Sequence, residues 1–322
     1  MTTQYQTNVT LTQGLLERAI FVALTTTPCC LFLYINGTML YTLRSKSVFR
    51  ETSRYILLYN LLFADTAVIM QGQILYILAA CAITLTYPVC GVLTMLSKIT
   101  NEISPLTLLV MCLERYVAVC YPLRHATIIT IRNTGLAIVV IWAFCSLNVL
   151  TAVFMLLNFS FEDQQNRQMK DYCRREIMFL NPVSDLYDKV YTYILFCSAG
   201  VVVSFSYIGV MVAARSATTD KASAQKASKT LLLHLVQLGL ILLSALHTPL
   251  IQAISKVVDA ITFDRLHIVH YVFIIILPRC LSSLIYGIRD QTIRPILMKN
   301  LCCQWQLSFS VSVVPAKAKL HR

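Results

Sequence analysis

Residues 90–116 read CGVLTMLSKITNEISPLTLLVMCLERY, and the reading of this stretch decides the fold. A helix rises 1.5 Å per residue, so Cys90 and Arg115 stand about 37 Å apart along one helix. That is enough to cross the roughly 30 Å of hydrocarbon in a bilayer. Only Lys98 and Glu102 interrupt the uncharged run before Glu114 and Arg115 close it. Working outward, similar runs recur. They cover about 19–43 (uncharged between Arg18 and Arg44), 55–80 (holding Asp65), 134–157, 187–213, 230–254 (uncharged between Lys229 and Lys256) and 266–288 (holding Arg279). With 90–114 they make seven. The expected fold is an all-α membrane protein, a seven-transmembrane helix bundle.

Composition leads to the same class. Of 322 residues, 57% are hydrophobic and 13% charged, with mean hydropathy +0.67. A soluble chain of this length needs about twice that charge to cover its cores. The net charge of +12 invites a nucleic-acid reading. The charges, however, sit in short gaps between apolar runs, so the expected partner is the lipid bilayer and not nucleic acid. Most of the twelve cysteines lie inside the runs, where they act as small hydrophobes. Residues 1–18 are polar and contain no signal peptide, so the first run itself directs insertion.

Lys and Arg counts orient the bundle. With the N-terminus outside, the inner segments hold seventeen basic residues and the outer ones eight. The positive-inside rule therefore puts residues 1–18 outside and the tail 304–322 in the cytosol. The sequons at Asn8 and Asn158 then fall outside and are candidate glycosylation sites, whereas Asn36-Gly37-Thr38 lies within the first span. Cys90 stands at the outer end of the third span, and Cys173 is the sole cysteine in the outer connection 158–186. A Cys90–Cys173 disulfide would tie that connection over the bundle mouth; the alternative is two unpaired thiols.

The order of features carries a resemblance. It runs from Asn36 through Leu61-Leu62-Phe63-Ala64-Asp65, Cys90 and Glu114-Arg115-Tyr116 to Trp142, Pro249 and Tyr286. Over residues 19–300 this resembles the rhodopsin-like (class A) G-protein-coupled receptors. More narrowly, MCLERYVAVCYPLRH at 111–125 looks like the olfactory receptor signature at this place. Ser206-Tyr207-Ile208, the stretch from Lys229 to His234-Leu235, and Ile285 to Asp290 match that family's fifth-helix end, sixth-helix start and seventh-helix exit. The divergent fish odorant receptors are the most similar group. There are departures: Ser282-Ser283 stand where the family has Asn-Pro or Asp-Pro, which moves any kink outward to Pro278. The second outer loop also lacks the family's extra cysteines.

The resemblance implies an odorant receptor that binds a small-molecule odorant within the bundle and activates a heterotrimeric G protein. Ser97, Lys98, Asn101 and Glu102 are candidate ligand contacts on the third span, and His247 and Thr248 on the sixth. Lys98 and Glu102 are i, i+4 neighbours and face the bundle interior, since charge facing lipid is costly. The bland alternative is that they only neutralise each other. Glu114, Arg115, Tyr116, Tyr207 and Tyr286 form the implied inner switch. Asp65, Ser104 and Asn36 resemble the sodium-binding core of the class. Arg279 needs an anion, for which Glu102 and Asp65 both qualify. Residues 289–303 are expected to form a basic amphipathic eighth helix on the inner leaflet, with Cys302 and Cys303 candidates for palmitoylation. His267 and His270 lack third and fourth ligands, so no metal is expected. No phosphate loop, zinc motif or nucleophile elbow occurs, so neither a cofactor nor an enzyme is expected.

Two rival readings stand beside this one. A rhodopsin-like receptor for a peptide or lipid shares every switch residue; an amine ligand is disfavoured because no aspartate lies near Ser97. A transporter or channel would show inverted repeats and paired broken helices, and seven unequal spans do not halve.

Overall fold

The computed structural model describes residues 2–160, 182–216 and 269–301, with Cys173, Leu266 and a few positions between 229 and 240. Side chains are described from Ala19 onward, except at 156–160, 182, 185, 214–216, 282 and 289. Five helices among these residues are long and apolar enough to cross a membrane. They are Thr2–Ser45, Ser53–Ala80, Tyr87–Cys120, Ile131–Ser160 and Pro182–Ser216. They supply the first five spans. A seventh runs through Tyr271–Ile276 and Leu277–Arg289. Most of the expected sixth run, including His247, Thr248 and Pro249, lies outside the described residues.

The helices overrun the apolar runs at both ends. The first begins at Thr2, so the polar segment 1–18 continues the span as helix instead of ending it. Once a span has nucleated a helix, each added turn costs little. The third span continues past Glu114-Arg115 to Cys120, where Pro122 stops it and starts a short helix, Pro122–Ile128. Pro28 interrupts the first span, where Thr25 and Thr27 hydroxyls donate to carbonyls one turn back.

The third span is the hub. It packs against the second, fourth and fifth, while the first and seventh close on the second. The fourth span shows how a membrane helix divides its faces. Leu136, Val140, Phe144, Leu147, Leu150 and Phe154 form an exposed apolar stripe at helical spacing. Ile141, Cys145, Asn148, Val149 and Ala152 face inward. In water the stripe would be an aggregation hazard; against lipid tails it costs nothing. The chain is a multi-pass membrane protein. Its largest core cluster lies in the inner half and joins Leu57, Leu61, Met111 and Cys112 to Val203 and Tyr286.

The seventh span departs from a simple helix. A π-helical turn, Tyr271–Ile276, immediately precedes Pro278. Proline has no N–H for the carbonyl of Ile274, and its ring clashes there in a regular helix. A wider turn relieves both problems, so the distortion expected from Pro278 takes this form. Beyond it, residues 293–301 form the eighth helix. Ile293 and Leu297 are buried and Ile296 and Leu301 pack beside them, while Arg294, Met298 and Lys299 face outward. Asp290 caps this helix by accepting from the backbone N–H groups of Thr292 and Ile293.

Candidate functional site

The chemistry-bearing residues fall at three depths. At the outer mouth, Cys90 and Cys173 form a disulfide with Cα atoms 5.6 Å apart. The bridge packs with Leu85, Tyr87, Met95, Val149 and Val153, and so pins the outer connection onto the third and fourth spans.

About two turns below lies a buried polar network. Lys98 Nζ sits 2.9 Å from Asp188 Oδ1 on the fifth span. The rings of Tyr187 and Tyr191 stack on each other, and each centroid is 6.0 Å from the Lys98 ammonium. Glu102 accepts at both oxygens, from Asn148 Nδ2 at 2.6 Å and from the Tyr191 hydroxyl at 3.3 Å. The Tyr187 hydroxyl donates to Asn148 Oδ1 at 3.0 Å and closes the ring of contacts. Lys98 therefore has an ion-pair partner across the bundle, beyond its own-helix neighbour Glu102. Three spans contribute, and all of Lys98, Glu102, Asn148 and Asp188 are buried. Asp188, Asn148, Tyr187 and Tyr191 were not anticipated. The available signal was Asp188 at the outer end of the 187–213 run, an acid with no reason to be there unless a base faces it.

On the same stretch of the third span, Asn101 Nδ2 donates to the backbone carbonyl and hydroxyl of Ser97. Its Oδ1 accepts from Arg279 Nη2 at 2.7 Å. The other arm of Arg279 pairs with Asp65 at 3.0 Å, and Ser104 donates to the same carboxylate oxygen at 2.6 Å. Of the two anions open to Arg279, Asp65 is the one it meets. Asn36 accepts from Ser283, which stands at the position of the family's proline. Nearby, Asn60 takes a hydrogen bond from Trp142 and gives one to Thr107, tying the second, third and fourth spans together.

At the inner face Arg115 Nε lies 3.3 Å from Glu114 Oε2, and His125 Nε2 lies 3.7 Å from Glu114 Oε1. Tyr116 packs edge-on to Tyr121 and lies against Gly209 of the fifth span. A Cβ at Gly209 would meet the Tyr116 ring at 2.5 Å, so this approach requires glycine. Tyr286 is buried beneath the Arg54 guanidinium, which stands 5.1 Å above its ring and also pairs with Asp290 at 3.0 Å. Tyr55 donates to the same Asp290 carboxylate. Tyr207 packs on the edge of the inner core. His247, Thr248, Cys302 and Cys303, and the side chains of Asn8 and Asn158, lie outside the described residues. Among those described, no group of three metal-ligating side chains comes together.

A family model described as 7 transmembrane receptor (rhodopsin family) matches residues 19–286. Odorant receptor 131-2 of Danio rerio is 32% identical over 266 residues, 81% of this chain and 79% of that protein. Olfactory receptor 51E1 of Homo sapiens is 24% identical over 283 residues, 84% of this chain and 86% of that protein. A match to the growth hormone secretagogue receptor type 1 of Oryctolagus cuniculus is confined to 87 residues, 26% of this chain. The chain belongs to the rhodopsin family of seven-transmembrane receptors, among its odorant-type members.

Proposed function

We propose that this receptor lies in the plasma membrane with its N-terminus outside, binds a small extracellular odorant among the outer halves of its spans, and activates a heterotrimeric G protein. One observation carries the ligand site: the buried network of Lys98, Asp188, Glu102, Asn148, Tyr187 and Tyr191, which joins the third, fourth and fifth spans at the end of the bundle nearest the disulfide. Ionisable groups inside a membrane are expensive and mark functional pathways. Ser97 and Asn101 stand beside Lys98 and Glu102 on the same stretch of the third span. A charged or zwitterionic, water-soluble odorant suits it. Such a ligand can trade one buried partner for another, whereas a hydrophobic odorant has no group to exchange with Lys98, Asp188 or Glu102.

The signal crosses as a population shift. A ligand that binds one helix packing better than the other moves the equilibrium by its difference in affinity. In the sequence Pro249 falls within the expected sixth run, where a proline that cannot complete the hydrogen-bond ladder would offer a bend point. Arg115 leaves Glu114, Tyr207 and Tyr286 turn inward, and the inner face opens for the G protein.

A panel of amino acids, amines and hydrophobic odorants, read by a cAMP reporter, tests the site. For the agonist found, Lys98→Ala and Glu102→Ala are expected to weaken potency at matched surface expression. The loss of one hydrogen bond to a charged group is worth about 1.5–3 kcal/mol, so the expected weakening is about 10–100-fold. Unchanged responses in both variants remove the pair from the ligand site.

A further inference from the structure

The family plan implies a sodium ion at Asp65, Ser104 and Asn36, and the residues present do not fit one. A bound sodium needs carboxylate, hydroxyl and amide oxygens turned toward it. Here Asp65 Oδ1 already takes Arg279 Nη1 at 3.0 Å and the Ser104 hydroxyl at 2.6 Å. The Asn36 oxygen is held by Ser283. Arg279 Nη2 reaches on to Asn101 Oδ1 at 2.7 Å. Asp65 is fully buried and Arg279 is 3% exposed, so this is an interior pair rather than a surface one.

A guanidinium keeps its charge and has only donors to offer. It neutralises Asp65 without an ion, and a second cation would stand against a fixed positive charge at contact distance. We propose that Arg279 is a tethered replacement for the core sodium ion and that this receptor is therefore indifferent to sodium. The replacement has a second consequence. A free ion can exchange with solvent, but Arg279 is part of the chain and cannot. It stays on the hydrogen-bonded line Ser97–Asn101–Arg279–Asp65–Ser104, which joins the third span's candidate ligand stretch to the bundle core.

The test uses purified full-length receptor and the metal alone, so it needs no agonist. Thermal unfolding is followed in sodium chloride and in choline chloride at equal concentration. A cation that binds only the folded state raises the unfolding midpoint in a saturable way. The wild type is expected to show the same midpoint in both salts. Arg279→Ser, which leaves Asp65 and Ser104 without their built-in cation, is expected to gain a sodium-specific rise, and Asp65→Asn added to it is expected to abolish that rise. A sodium-specific rise in the wild type that Asp65→Asn removes overturns the proposal. So does a folded Arg279→Ser protein as indifferent to sodium as the wild type. The wild-type measurement decides even if the serine variant is not recovered.

Discussion

Arg279→Ala is expected to cost the receptor most of its folded, surface-exposed population. The substitution leaves Asp65 fully buried with Ser104 as its remaining hydrogen-bond partner and takes the guanidinium from Asn101. Removing one partner of a buried ion pair typically costs about 3–5 kcal/mol, because the other charge is left uncompensated. A domain has only about 5–15 kcal/mol of stability to lose. Removing both charges is a different experiment. Asp65→Asn with Arg279→Ala leaves no uncompensated charge, and the double variant is expected to recover much of the loss. The pair would then show an interaction energy well above the scatter of independent sites. The measurement is surface expression together with the unfolding midpoint of the two single variants and the double variant. Additive losses would mean that Arg279 and Asp65 act separately.

Cys90→Ser carries the second large effect. The bridge closes a loop of 83 residues in sequence, and cross-links of this span stabilise by about 2–5 kcal/mol, chiefly by restricting the unfolded chain. It also fixes the outer connection against Met95, Val149 and Val153 directly above the Lys98–Asp188 network. The variant is therefore expected to lose surface expression and, in what reaches the surface, agonist potency. Cys173→Ser should match it, and the double Cys90→Ser/Cys173→Ser variant should be no worse than either alone. A double variant twice as damaged would show that the two cysteines act apart.

Much of the architecture was legible because the bilayer imposes a length. An uncharged run of about 20 residues has few other uses, so five spans and the distorted seventh emerge from counting. The Cys90–Cys173 pair was legible for a related reason: the rise of the third helix puts Cys90 at one face, and the long connection 158–186 on that face holds a single cysteine. The eighth helix was legible from apolar residues at 293, 296, 297 and 301.

Partner choice within the bundle was less legible. Lys98 has Glu102 one turn away in sequence, yet its close ion pair is with Asp188, ninety positions on. Arg279 had two acids at suitable depth. Depth follows from position along a helix, but which acid is met depends on the rotation of each helix about its axis, and packing sets that rotation. Asn148 and the two tyrosines gave no sequence signal, because amides and phenols are common on helix faces and only assembly makes them partners of Glu102. The π turn before Pro278 was visible as a distortion but not as its type, since proline specifies where the ladder breaks and leaves open how it is mended.

In the proposed function, outside chemistry reaches the cytosol through a bundle with two packings, held at one end by Arg115 on Glu114. The most direct test is the agonist concentration–response of Arg115→Ala in a cAMP reporter, at surface expression matched to the wild type and with agonist binding measured in parallel. Binding is expected to persist while signalling falls to the level of cells without receptor. An intact response after loss of that guanidinium would contradict it.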